Sequence, residues 1–120
     1  MRPEYNKPFI GRRIEPYGEV FYANPYKMTW AERRELLTLS FAISEDKPLE
    51  ALDTSEQVAL KMIKGFNGVV DPSENGKPLE VPKTIEELRA LPGLLVEVMI
   101  QQATEILQKE VEVPKGQSKR

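Results

Sequence analysis

Carboxylates close in sequence are the first place to look for chemistry: Glu32 and Glu35, Glu45 and Asp46, Glu86 and Glu87, Glu110 and Glu112. Paired carboxylates supply general acid and base catalysis when their environments split their proton affinities. Here Glu32 and Glu87 fall at the third position of T-x-x-E capping boxes, and Glu86 suits a helix N-terminus. The others lie where solvated charge is expected. Asp71, Ser73, Asn75 and Gly76 follow the opening spacing of a calcium loop, with glycine in sixth place. The twelfth place, which must supply a bidentate carboxylate, is Pro82, so this stretch is expected to be a turn. Gly65-Phe66-Asn67-Gly68 lacks the Lys-Ser or Lys-Thr of a phosphate loop and is expected to be a helix C-cap and turn. The 120 residues include no Cys and no His, which removes the thiolate nucleophile, the imidazole base and the usual zinc ligands. No catalytic residue, metal ligand or cofactor is assigned from the sequence, and a protein that is not an enzyme is expected.

Arg12-Arg13 and Arg33-Arg34, near Tyr17, Phe21, Tyr22 and Tyr26, are the parts a nucleic-acid surface would use. The charge distribution argues otherwise. Residues 1–27 carry a net +2, residues 28–112 a net −7 and residues 113–120 a net +3, giving −2 for the chain. Phosphate neutralisation needs clustered cations on one face, so an acidic body between basic ends makes nucleic acid an unexpected partner.

The elements that position these residues follow from local patterns. Residues 1–27 hold Pro3, Pro8, Pro16 and Pro25, which disfavours helix; Phe9–Ile14 and Glu19–Ala23 flank the turn Pro16-Tyr17-Gly18 and predict an irregular hairpin, with Val20 and Tyr22 alternating against Glu19 and Phe21. The segment 1–27 thus forms an extended arm or β element, packed on the chain's own helices or else docked on a neighbouring subunit. Thr29-Trp30-Ala31-Glu32 opens a helix running to about Ser44, with Trp30, Leu37 and Phe41 on one stripe widened by Leu36, Leu39 and Ile43. If Trp30 is core, its truncation to Ala costs about 3–5 kcal/mol; if it lies in an interface, partner binding is lost instead.

Lys47-Pro48 ends that helix, and a second is predicted from Asp53-Thr54-Ser55 to the Gly65–Gly68 region, carrying Val58, Met62, Ile63 and Phe66. The Asn75-Gly76 centre between Val69 and Val81 predicts a loop or small hairpin, kept brief by Pro78 and Pro82. Thr84 caps a short helix with Ile85, Leu88 and Leu91 on one face. Leu91-Pro92 opens the longest helix, to about Glu112, with Leu95, Val98, Met99, Gln102 and Ile106 on one stripe and Ala103 and Leu107 beside it. The fold expected is mainly α, a small bundle of about four helices with a short N-terminal β-hairpin or extended arm. It divides into the arm at 1–27, a helical domain at 28–112 and a basic tail at 113–120. No run reaches the roughly 18 apolar residues that cross a bilayer, so no membrane association is expected.

The order of these elements, with the phrases Pro25-Tyr26-Lys27-Met28-Thr29-Trp30-Ala31-Glu32-Arg33-Arg34-Glu35-Leu36-Leu37 and Gly65-Phe66-Asn67-Gly68-Val69-Val70-Asp71 followed by Asn75-Gly76-Lys77-Pro78-Leu79, resembles the tail assembly chaperones of long-tailed bacteriophages. The likeness covers residues 17–108. It implies a non-enzymatic, mostly helical morphogenesis protein of the host cytoplasm. Such a protein binds the tape measure protein during tail assembly, delivers it to the tail tube protein, and forms homo-oligomers. The resemblance fixes no individual contact residues. From the stripes alone, Trp30, Leu37, Phe41, Val98, Met99 and Ile106 are the expected partner contacts, together with Tyr17, Tyr22 and Tyr26 of the arm. The arm is long for that family. It supports an alternative expectation, a structural virion protein of head, neck or tail that laces neighbouring subunits together through this N-terminal arm.

Overall fold

The computed structural model describes residues 6–42 and 46–109. Two strands open the chain, β1 at Phe9–Ile14 and β2 at Gly18–Ala23, joined through a turn in which the Glu15-Pro16 peptide is cis. They pair antiparallel in a continuous register from Phe9 opposite Ala23 to Ile14 opposite Gly18. Ile10, Ile14, Val20 and Tyr22 are buried, so the alternation of apolar and polar positions turns one face of the hairpin into the core.

Helix α1 spans Trp30–Phe41, α2 spans Pro48–Met62, and α2 runs directly into a third strand, β3, at Ile63–Asn67. β3 pairs antiparallel with β2, giving a three-stranded sheet in the order β1-β2-β3. A two-stranded hairpin, β4 at Val70–Asp71 and β5 at Lys77–Pro78, follows, and then α3 at Ile85–Arg89 and α4 at Gly93–Lys109.

The mainly α expectation is therefore corrected. Among the described residues helix accounts for about 54 % and strand for 21 %, and the molecule is a mixed α and β fold with a sheet in its core. Strand β3 makes the difference in class, and the start of α2 differs as well. Pro48, expected to terminate the first helix, occupies the first turn of α2, where its missing N–H costs nothing. Ile63–Phe66, expected to continue that helix, are strand, because Ile63 takes an extended backbone (φ −73°, ψ 125°) and β2 offers an open edge there. With Gly65 a poor helix residue, pairing prevails.

Phe21 explains how the outer face of the sheet is closed. Its two cross-strand partners are Gly11 and Gly65, and a Cβ at Gly11 would stand 3.0 Å from the Phe21 ring. The ring occupies space that a side chain at position 11 would otherwise claim, while a Cβ at Gly65 would meet it at an ordinary 3.6 Å. Gly18 is constrained differently: its φ is +149°, and a Cβ there would lie 2.5 Å from the Gly68 carbonyl oxygen.

The core is assembled from the inner sheet face, Leu36 of α1, Val58, Ala59 and Met62 of α2, Leu88 of α3, and Leu95, Met99, Ala103, Ile106 and Leu107 of α4. Arg89 ties α3 to α2 through Glu56 at 2.7 Å and Asp53 at 3.0 Å. Expectations that concern Ile43 to Glu45 and residues 110–120, including the basic tail, fall outside the described residues.

Candidate functional site

The residues expected to meet a partner separate into two groups. Met99, Ile106 and Tyr22 are fully buried, and Val98, Tyr17 and Tyr26 are half-buried. Tyr22 is held by its own structure: its hydroxyl donates to Gln102 Oε1 at 2.6 Å, and burial pushes the phenol well above its usual value near 10, against the opposing charge of Arg12. Trp30 and Phe41, by contrast, are 70 % and 80 % exposed, with Leu37 half-buried between them.

The reason lies in how α1 is seated. Thr29 forms a full capping box with Glu32, the hydroxyl accepting from the Glu32 N–H at 3.2 Å and Glu32 Oε1 accepting from the Thr29 N–H at 2.9 Å. This starts the helix with Trp30 in its first position. Arg33 Nη1 then donates to the Leu107 carbonyl oxygen at 3.3 Å, satisfying an orphan acceptor in the last turn of α4, and Gln108 Nε2 donates to Ser40 Oγ at 3.2 Å. Leu36 enters the core and Lys61 of α2 pairs with Glu35 at 3.0 Å. These contacts fix the rotation of α1 and leave Trp30, Arg34, Leu37 and Phe41 on its outward side, at i, i+4, i+7 and i+11. From Trp30 to Phe41 that row is about 16 Å long at 1.5 Å per residue. Arg34 has no acidic partner among the described residues. Beside it runs a shallow groove between α1 and α2 of about 470 Å³, lined by Ala31, Arg34, Thr38, Leu39 and Gln57.

A second concavity was not anticipated from the sequence. A cleft of about 360 Å³ opens where the start of β1, the end of β2, α1 and the α2–β3 junction converge. Phe9, Ala23, Met28, Leu36 and Leu60 give it an apolar lining, and Lys27, Lys61, Lys64, Glu32 and Glu35 give it charge. Its wall is braced by Asn24, which is 1 % exposed; Nδ2 donates to the Lys7 carbonyl oxygen at 2.7 Å and Oδ1 accepts from the Tyr26 N–H at 3.0 Å. These residues come from three separate segments, so no spacing in the sequence signals them.

Asp71 and Glu87, two further candidates for chemistry, have structural partners. Asp71 Oδ1 accepts from the Ser73 N–H at 3.0 Å and from Ser73 Oγ at 2.7 Å, capping a single 3-10 turn. Glu87 accepts from the Lys83 N–H at 2.8 Å while its own N–H donates to Thr84 Oγ1 at 3.1 Å. Thr84 thus caps α3 from one side only, and the capping box expected there is not closed, because the Glu87 carboxylate turns to the Lys83 N–H in place of the Thr84 N–H. Among the described residues no group of three or more acidic side chains is placed to hold a metal ion, and no helix is long and apolar enough to cross a membrane. Comparison with protein-family models, curated proteins and solved structures finds no match to this chain.

Proposed function

We propose that this protein works by binding another protein, as a phage morphogenesis factor of the tail assembly chaperone kind whose partner is the tape measure protein. The observation that supports the reading is the outward row Trp30, Arg34, Leu37 and Phe41. Exposed large aromatics in line on one helix are costly to leave in water, and anchors at i, i+4, i+7 and i+11 are how one helix engages another. Trp, Arg and Phe are also residues that concentrate binding energy at interfaces. Of the candidate carboxylates, Glu32 and Glu87 are engaged at helix starts and Glu35 is paired with Lys61, which favours contact over catalysis as the work of the chain.

The alternative, a virion component that laces subunits through the arm at 1–27, has less behind it. Strands β1 and β2 pair with each other and with β3 of the same chain, and Tyr22 is bound to α4.

Co-expression with the tape measure protein tests the reading. The native chain is expected to raise the soluble yield of that protein and to co-purify with it, whereas a Trp30→Glu, Phe41→Glu double variant, folded by circular dichroism, is expected to do neither. Unchanged co-purification by the double variant removes α1 from the interface. Recovery of the native chain at stoichiometric level in purified particles favours the virion component instead.

A further inference from the structure

We propose that the cleft between β1, β2, α1 and α2 is a binding site for a small amphipathic anion, a carboxylate on an aliphatic or aromatic body. The site is separate from the outward row of α1 and does not depend on it. Its volume of about 360 Å³ is at the small end of the range in which proteins hold organic ligands, which suits a medium-chain acid.

Charge accounting identifies the sign of the ligand. Five charged side chains line the cleft, three cationic and two anionic. Glu35 is neutralised by Lys61 at 3.0 Å, whereas Glu32 accepts from the neutral Thr29 N–H and keeps its charge. Lys27 and Lys64 make no ion pair among the described residues. Two ammonium groups and the one remaining carboxylate of Glu32 leave the wall of an apolar pocket with a net single positive charge, complementary to one carboxylate.

The backbone explains why Lys64 points there. Between Phe21 and Tyr22 strand β2 advances by one residue, while β3 advances by two, from Gly65 to Ile63. Lys64 is the extra residue of a β-bulge and has no partner across the ladder. Bulges re-aim a side chain out of the alternation of the strand and concentrate beside binding sites. A regular β3 would leave Lys64 in the ladder, directed by its cross-strand neighbour. The apolar side of the cleft is similarly open to a ligand: Phe9 is 44 % exposed although its neighbours Met28, Leu36 and Leu60 are at least partly buried. A hydrocarbon chain lying on these four residues would cover the ring.

Titration of the uniformly 15N-labelled full chain with decanoate, followed by amide chemical shifts near neutral pH, tests the proposal. Saturable shifts are expected at Phe9, Met28, Leu60 and Lys64. Decanol, which keeps the body and lacks the charge, and inorganic phosphate, which keeps the charge and lacks the body, are each expected to bind at least about tenfold more weakly. Lys27→Gln and Lys64→Gln are each expected to weaken decanoate about fivefold, the worth of a partly exposed ion contact, while Lys83→Gln, outside the cleft, leaves it unchanged. All three lysines are exposed, so these variants retain the fold. Absence of saturable shifts at the four amides, equal binding of decanol, equal binding of phosphate, or indifference to both cleft lysines would each overturn the proposal.

Discussion

The Tyr22 hydroxyl donates to Gln102 Oε1 at 2.6 Å, joining the central strand of the sheet to the middle of the last helix across 80 residues of sequence. It is a polar link inside an otherwise apolar contact between β2 and α4. Burial makes the phenol harder to ionise than in the unfolded chain. Because the folded-state pKa is raised, the contribution is fully present below the unfolded value near 10 and is lost as pH climbs above it, since the unfolded chain then releases a proton that the folded chain retains. Native Tyr22 is therefore expected to make stability fall above about pH 10. Tyr22→Phe is expected to cost about 1 kcal/mol at neutral pH through the lost hydrogen bond and to flatten the alkaline fall. Urea melts at pH 7, 9 and 10.5 on both proteins measure this; parallel pH dependences would show that another group governs the alkaline limb.

Trp30→Ala and Phe41→Ala are expected to change stability by no more than about 0.5 kcal/mol each, because both side chains stand mostly in water. Met99→Ala and Leu88→Ala, at fully buried positions, are expected to cost about 2–5 kcal/mol. Chemical denaturation of the four variants gives the contrast directly. A loss at Trp30 as large as that at Met99 would place it in a covered environment.

Gly18→Ala is expected to destabilise by more than about 2 kcal/mol, since the residue combines a φ that L side chains rarely adopt with a backbone oxygen where its Cβ would sit. Gly93→Ala, where a Cβ meets no atom within 4 Å, is the control and is expected to be neutral or mildly stabilising. Thermal melts distinguish the two.

Thr29→Ala removes the hydroxyl half of the α1 capping box and is expected to cost about 1 kcal/mol. Its effect on partner capture should exceed its effect on stability, because fraying of the first turn displaces Trp30. Thr84→Ala, at the cap of the five-residue α3, is expected to match the stability loss without touching capture. Equal capture by the two variants would argue against Trp30 as an anchor.

What the sequence reveals here is what neighbouring residues decide. The Thr29 and Thr84 caps, the hairpin and the buried stripe of α4 rest on interactions within a few positions; the hairpin expected at Phe9–Ile14 and Glu19–Ala23 is found with its second strand starting one residue earlier, at Gly18. Strand β3 is different, because Ile63–Asn67 is strand only in the presence of the β2 edge, and Glu19 opposite Asn67 is a pairing that no local window contains. The direction of α1 is similarly hidden. Leu36 and Leu37 are one residue and about 100° of helix apart, so periodicity draws both an inner and an outer apolar arc, and only the Arg33 and Glu35 contacts decide which faces water. The cleft lysines converge from the turn after β2, the end of α2 and the bulge in β3.

The uninterrupted passage from α2 into β3 sets an order of assembly. The β1–β2 hairpin closes over a three-residue turn, while the β2–β3 ladder joins residues 48 positions apart, as in the bond from Asn67 Nδ2 to Glu19 Oε1 at 3.1 Å. Short loops close at smaller entropic cost and sooner. The hairpin forms early with both edges bare, and β3 covers the β2 edge only once α2 has wound to Met62 and brought Ile63 opposite Tyr22. Until that moment the edge of β2, the central strand of the finished sheet, is unpaired, which makes this a stage of folding exposed to association with other copies.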